Sequence, residues 1–247
     1  MKSILNKIEL TVLSEVRNSY GYLTNNVAQL MQNGTGEVVC EVEFLCFELE
    51  KLLVEGNSLS VMSRSASADS EFSTAFSWLS KYNTYDYRTN ELDLEFHDSV
   101  KSHLENSNKE IKRNVIFIKE LKVKPRFLGK GFGEYLLKFF PEHYGESFGL
   151  MVLQACPLQL CSHLSSSYQY RTLGMNPEKS REKLLKWYSS KGLMQIEEDH
   201  MDWMFCTTED LAKIDANVGN VVTIDKRNVY ELKTKKKKDN RISSLAM

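Results

Sequence analysis

The chain has 247 residues, 42% of them apolar and 11% aromatic, and carries a net charge of −1. That suffices for one large domain, or a domain with a long extension, and so balanced a charge excludes partners recognised by overall electrostatics alone. No apolar run approaches a membrane span, and Cys40, Cys46, Cys156, Cys161 and Cys206 are odd in number and scattered, which suits reduced thiols and offers no zinc-ligand spacing.

Residues 1–7 soon meet Glu9 and Glu15 and lack the apolar core of a signal peptide, so a cytoplasmic location is expected. From 4 to 31, apolar side chains stand at Ile4, Leu5, Ile8, Val12, Leu13, Val16, Tyr20, Leu23, Val27, Leu30 and Met31. Their steps are mostly three and four, which predicts one or two amphipathic helices packed on the domain, with a break near residues 20–22. The segment Asn33-Gly34-Thr35-Gly36 stops that pattern. Val38, Cys40, Val42, Phe44 and Cys46 then alternate with Glu41 and Glu43, which predicts a strand over 37–49, although residues 44–53 also fit a helix.

A further strand is expected at 57–62, a Ser-rich turn at 63–73 and a short helix around Phe72, Phe76, Trp78 and Leu79. Residues 83–90 are polar, and Tyr82, Tyr85 and Tyr87 on their flanks read as packing residues. Leu92, Phe96, Val100 and Leu104 give a second helical stripe, ended by Asn106-Ser107-Asn108. His97 and His103 are too far apart for a metal pair one helical turn apart, so both are read as surface or packing residues.

The most informative stretch follows. Residues 115–118 are all β-branched or aromatic, and Leu121 and Val123 continue them by alternation: a buried strand that Pro125 ends near Lys124. Gly129, Gly131 and Gly133 remove three side chains at alternate positions, and residues 134–140 carry a helical stripe through Leu136, Leu137 and Phe140, with Pro141 as its limit. Strand, glycine turn and helix N-terminus together suit a phosphate, because the first amides of the helix lack partners within it and the dipole adds positive charge. The nucleotide P-loop is excluded because Phe132 follows Gly131, and the dinucleotide fingerprint because its third glycine falls one place later than Gly133.

Read as Val123-Lys124-Pro125, then Arg126-Phe127-Leu128-Gly129-Lys130-Gly131, then Leu136-Leu137, the stretch resembles motif A of the GCN5-related N-acetyltransferases, the GNAT superfamily. Many members carry a third glycine, as at Gly133, and a second basic residue directly before the first glycine, where this chain has Leu128. Downstream, residues 148–155 form a second apolar run, so two parallel strands joined by a helix make a right-handed βαβ unit with its ligand end near Val123 and Ala155. After a long polar connection at 158–176, a helix starts near Pro177 and closes at Lys191-Gly192, and two strands, 193–197 and 203–207, flank the acidic turn Glu198-Asp199-His200. The pair Tyr188 and Gly192, with Leu193 in place of Phe, is similar to the family's motif B. A possible strand at 221–224 and the basic run at 233–238 complete the chain; the latter reads as a solvated tail, with weak nucleic-acid contact as its functional alternative.

The resemblance implies an α/β fold, a GNAT-like mixed sheet flanked by helices with a central βαβ acyl-CoA-binding unit. The expected layout is a helical extension at 1–35, the acyltransferase domain at 36–210 and a C-terminal extension at 211–247. The implied reaction is acyl transfer from acetyl-CoA, or another acyl-CoA, to an amine acceptor the sequence does not identify; no metal is expected. The backbone of Leu121, Lys122 and Val123 is expected to hold the pantetheine arm and to stabilise the oxyanion. The turn from Arg126 through Leu128, Gly129, Lys130, Gly131 and Phe132 to Gly133 is expected to hold the pyrophosphate. Tyr188 is expected beside the sulfur as the acid for the leaving thiolate. Glu120 is the nearest carboxylate for a base, with Glu41, Glu43 and Glu146 less well placed; Cys156 has no His or Asn spacing to support an acyl-enzyme. A catalytically inactive GNAT-like binding module and a nucleic-acid-modifying group transferase are the rival readings.

Overall fold

A computed structural model describes residues 8–16, 22–32, 34–54, 80–86, 91–96, 98–106, 112–158, 176–196, 202–214 and 221–228. Ten strands and five α-helices fall in these residues: β1 Ile8–Val16, β2 Leu23–Gln32, β3 Glu37–Phe47, α1 Leu49–Val54, β4 Ser80–Asp86, β5 Glu91–Phe96, α2 Asp98–Asn106, β6 Val115–Val123, α3 Phe132–Tyr144, β7 Leu150–Gln154, α4 Pro177–Ser189, β8 Met194–Gln195, β9 Trp203–Thr207, α5 Thr208–Ala212 and β10 Val221–Asn228. Eight strands form one mixed sheet in the order β10-β1-β2-β3-β6-β7-β9-β8, and β4 and β5 form a separate antiparallel pair. Within the large sheet β1–β10 and β6–β7 are parallel and the other neighbours antiparallel.

Apolar residues cover both faces of the sheet. On one, Cys40, Val42 and Phe44 of β3 and Ile116 and Ile118 of β6 share a core with Leu136, Leu137, Phe139 and Phe140 of α3 and with Tyr188 of α4. Phe44 meets Phe140 edge to face, with ring centroids 4.9 Å apart. On the other face, Leu45 and Phe47 of β3, Val115 and Phe117 of β6, and Trp203 and Phe205 of β9 pack with Leu49 of α1 and Val100 of α2. This is the mixed sheet flanked by helices, with a central parallel βαβ unit (β6-α3-β7), that the resemblance implied.

Several expectations are corrected. The helices expected over 4–31 are the strands β1 and β2 where the structure describes them. Leu10, Val12, Ala28 and Leu30 point into one core while Tyr22 and Leu23 enter the other. Burial on both sides erases the period of two and leaves apolar steps that mimic a helix. The boundary at 35/36 falls inside a hairpin: β2 and β3 pair from Leu23↔Phe47 to Gln32↔Glu37 across a turn in which Gly34 and Gly36 have φ of 87° and 67°. The boundary at 210/211 cuts α5, and β10 continues the same sheet beside β1, so the three expected segments share one sheet. The stripe from Leu92 to Leu104 is half strand, half helix, since Leu92, Leu94 and Phe96 alternate with acidic residues in β5. Pro141 does not end α3, which runs on to Tyr144 and closes with the Gly145 N–H donating to the Pro141 carbonyl at 3.2 Å.

The expectations at 57–79, Tyr87, His97, most of the 158–176 connection, the turn at 198–200 and the basic run lie outside the described residues. No helix among the described residues is long and apolar enough to cross a membrane.

Candidate active site

The site is built where β6 changes neighbours. Opposite β3, Phe44 pairs with Ile118 but Glu43 pairs with Glu120, so Lys119 is an extra residue, a bulge in the central strand. Opposite β7, pairing runs only from Val115↔Leu150 to Ile118↔Leu153. Beyond that point β6 continues along β3 to Val123↔Cys40, while the chain after β7 stays on the β9 side, where the Ala155 N–H donates to the Asp202 carbonyl at 2.9 Å. Among the described residues no strand pairs with the β7-facing edge of residues 119–123. Main-chain donors and acceptors along such an edge are available to a ligand that carries amides of its own.

Pro125 ends the strand and starts a single 3-10 turn, Pro125–Phe127, in which the Phe127 and Leu128 N–H groups donate to the Lys124 and Pro125 carbonyls at 2.8 and 3.2 Å. Gly129 and Gly131 follow with φ of 72° and 84°, left-handed conformations that side-chain-bearing residues resist. Gly131 is the N-cap of α3 and supplies no capping side chain; the first helical bond runs from the Tyr135 N–H to the Gly131 carbonyl at 3.0 Å. The N–H groups of Phe132, Gly133 and Glu134 therefore precede the helical ladder, at the positive end of the helix dipole. Gly133 has another role: a Cβ there would come within 3.3 Å of the Trp187 ring. Its absence lets α4 lie against the start of α3.

The cations of the turn are already engaged. Arg126 pairs with Glu37 at the start of β3, and Lys124 reaches the same carboxylate at 3.0 Å. The Arg126 guanidinium and the Lys130 ammonium lie 4.9 and 5.2 Å from the centre of the Phe127 ring. Leu128, at the position where many GNAT members carry a basic residue, is 46% exposed.

The two expected catalytic side chains lie on opposite faces of the sheet. Leu121 and Val123 pack on the α3 side, in register with Val42 and Cys40, and Tyr188 belongs to the same core. Tyr188 is 6% exposed, and its ring centroid is 4.8 Å from that of Trp187. Burial, and then the nearby Cys40 thiol, push its phenol pKa upward, so it stays protonated at neutral pH. Glu120 and Lys122 stand on the other face and are paired with each other. Lys122 also lies 3.4 Å from Glu41, and Lys119 lies 3.6 Å from Glu43. Burial pulls the Lys122 pKa down, but Glu120 and Glu41 outweigh it and the net shift is upward. Glu146 is exposed, in the turn after α3. Cys156, just past β7, is exposed.

Sequence reasoning missed Glu37, Glu134, Trp187 and Lys191. The first two are ordinary acidic residues until folding sets them beside residues 89 and 53 positions away. Trp187 had a weak local signal: a large ring beside Tyr188, in a helix due to pack on a glycine-rich turn.

No family model and no curated protein matches this sequence. Among solved structures the chain is similar to a bacterial toxin, with 15% identity over 76% of this chain and 69% of that one and a TM-score of 0.35. It is similar also to a mutant of KacT, with 9% identity over 77% and 75% and a TM-score of 0.35. A third is AtaTR bound with AcCoA, with 9% identity over 76% and 72% and a TM-score of 0.37.

Proposed function

We propose that this protein is an acyl-CoA-dependent N-acyltransferase that moves an acetyl group from acetyl-CoA to an amine. One observation carries the reading: β6 parts from β7 after Ile118 directly ahead of a turn whose glycines open the N-terminus of α3. The fit to acyl-CoA is chemical. The edge of residues 121–123, which no described strand pairs, suits the amides of a pantetheine arm, and the amides of Phe132 and Gly133, with Lys130 and Arg126 nearby, suit a diphosphate.

Acetyl-CoA supplies the acyl group as a thioester, which the amine nitrogen attacks as the carbon–sulfur bond breaks. A main-chain N–H near Lys122 or Val123 stabilises the oxygen that becomes negative. Tyr188 holds its proton at neutral pH, gives it to the departing sulfur, and is reprotonated by the proton that the attacking nitrogen sheds as the amide forms. A free amine with a pKa of about 10.4 must first lose a proton. Glu120 takes it once its pair with Lys122 opens.

The test is thermal unfolding with acetyl-CoA. At a ligand concentration of 100 times Kd, mass action adds about 2.7 kcal/mol, which raises the melting temperature by about 5–10 °C. No shift at millimolar acetyl-CoA rejects the reading.

A second reading has its own observation. Glu120, Glu41 and Glu43 are all within ion-pair reach of lysines, which supports a binding module that keeps the fold without a competent base. Release of free CoA thiol with a panel of amines separates the two: the enzyme releases it, and the module binds CoA and does not.

A further inference from the structure

The joint between α3 and α4 has no part in the roles above. Glu134 stands in the first turn of α3, and its Oε1 accepts a hydrogen bond from the Trp187 indole Nε1 at 3.3 Å. The Lys191 ammonium lies 3.3 Å from the same oxygen, and both side chains are 23% exposed, so solvent screens the pair only in part. Both partners of Glu134 bracket Tyr188 in the chain: Trp187 precedes it, and Lys191 belongs to the turn that ends α4, with its N–H on the Tyr188 carbonyl at 2.9 Å. The indole also covers Gly133. One carboxylate thus ties the helix that carries Tyr188 to the first turn of α3.

That carboxylate creates a conflict. A negative charge in the first turn suits the helix dipole, but it also stands one residue past Gly133, where it repels any anion held by the same amides. We propose that Lys191 is a compensating cation, neutralising Glu134 so that it can clamp α4 onto the turn without repelling the diphosphate of acyl-CoA. Lys191 is a positioning residue in this account, and the inference rests on the acyl-CoA reading above.

The experiment is isothermal titration of the full chain with CoA, for wild type, Lys191→Met, Lys191→Arg, Glu134→Gln and the Lys191→Met/Glu134→Gln double variant. Lys191→Met leaves the carboxylate uncompensated and is expected to weaken binding about fivefold, the scale of a charge acting at a first helical turn. Lys191→Arg keeps the charge and wild-type affinity. Glu134→Gln keeps an oxygen for the indole and binds at least as tightly as wild type. The double variant returns to within about twofold of wild type, because the repelling charge is gone.

A double variant as weak as Lys191→Met, or a Lys191→Met variant that binds normally, overturns the proposal. If Lys191→Met folds poorly, Glu134→Gln alone decides, and weaker binding than wild type overturns it. A wild-type chain that gives no CoA isotherm removes the acyl-CoA reading, and the Lys191 role with it. A wild-type isotherm with no coupling in the cycle removes the Lys191 role alone.

Discussion

For the acid proposed above, Tyr188 is unusually deeply placed. Its neighbours are Trp187 and a core that includes Cys40, and burial keeps the proton on the phenol through the neutral range. Removing only the hydroxyl tests its role without disturbing the packing. Tyr188→Phe is expected to lower turnover by about 100-fold or more while CoA affinity changes less than threefold. Equal turnover in both proteins, measured as CoA thiol released to an active amine, takes Tyr188 out of the chemistry.

Asp210 supports a second residue-level expectation. Burial pushes its carboxyl up, but hydrogen bonds from Thr207, His103 and Lys213 outweigh this and hold the pKa at about 2. Thr207 and Asp210 form a reciprocal cap at the start of α5, and His103 reaches the same carboxylate from α2 at 2.9 Å. An unfolded Asp titrates near a pKa of about 3.9. Stability from this depressed carboxyl is therefore complete above that pH and is lost as pH falls through the folded value. Its size is on the order of 2 kcal/mol at neutral pH. Asp210→Asn is expected to lose most of it at pH 7, and denaturant melts between pH 5 and 2 should flatten relative to wild type.

At the scale of elements, the strand–turn–helix unit was the most legible part of the chain because its signals are local. Four consecutive strand formers, a proline and three alternating glycines specify where β6 stops, how the turn is made and where α3 begins. Gly131 is the critical member, with φ of 84° at the helix N-cap. Gly131→Ala is expected to cost about 1–2 kcal/mol of stability by forcing a Cβ into that region. If the amides it orients hold the diphosphate, CoA affinity falls as well, by about tenfold or more, and isothermal titration separates the two effects.

The bulge at Lys119 was not legible. It changes which face of β6 each later side chain takes, so an alternation counted from Val115 gives the wrong face beyond Ile118. The pairing of Glu120 with Lys122, two positions apart on one strand, is local and could have been anticipated from strand geometry.

At the scale of the molecule, two-sided burial is what makes strands look like helices in the sequence. Both β1 and β2 send side chains into the helix-covered core, and β2 faces the opposite core as well. A sequence shows such strands as apolar positions without a clean period, and the choice between helix and strand then depends on neighbours far along the chain. The same limit hid the extent of the sheet, since the pairing of β10 with β1 joins residues more than 200 positions apart. The motifs identified a centre, and the sheet was assembled around it from residues that carry no motif.

The parallel pairing of β10 with β1 has a practical consequence. A chain shortened to end at Ile214 keeps every residue assigned to the chemistry but strips the outermost ribbon from the sheet. The main-chain groups of residues 8–14 that faced it become an uncovered rim able to recruit another copy. Such a fragment is expected to self-associate in light scattering at concentrations where the 247-residue chain does not, and a monodisperse fragment would mean that the rim is protected in some other way. Crystallographers and assay builders trimming the lysine-rich end should therefore cut after Asn228, not before Val221.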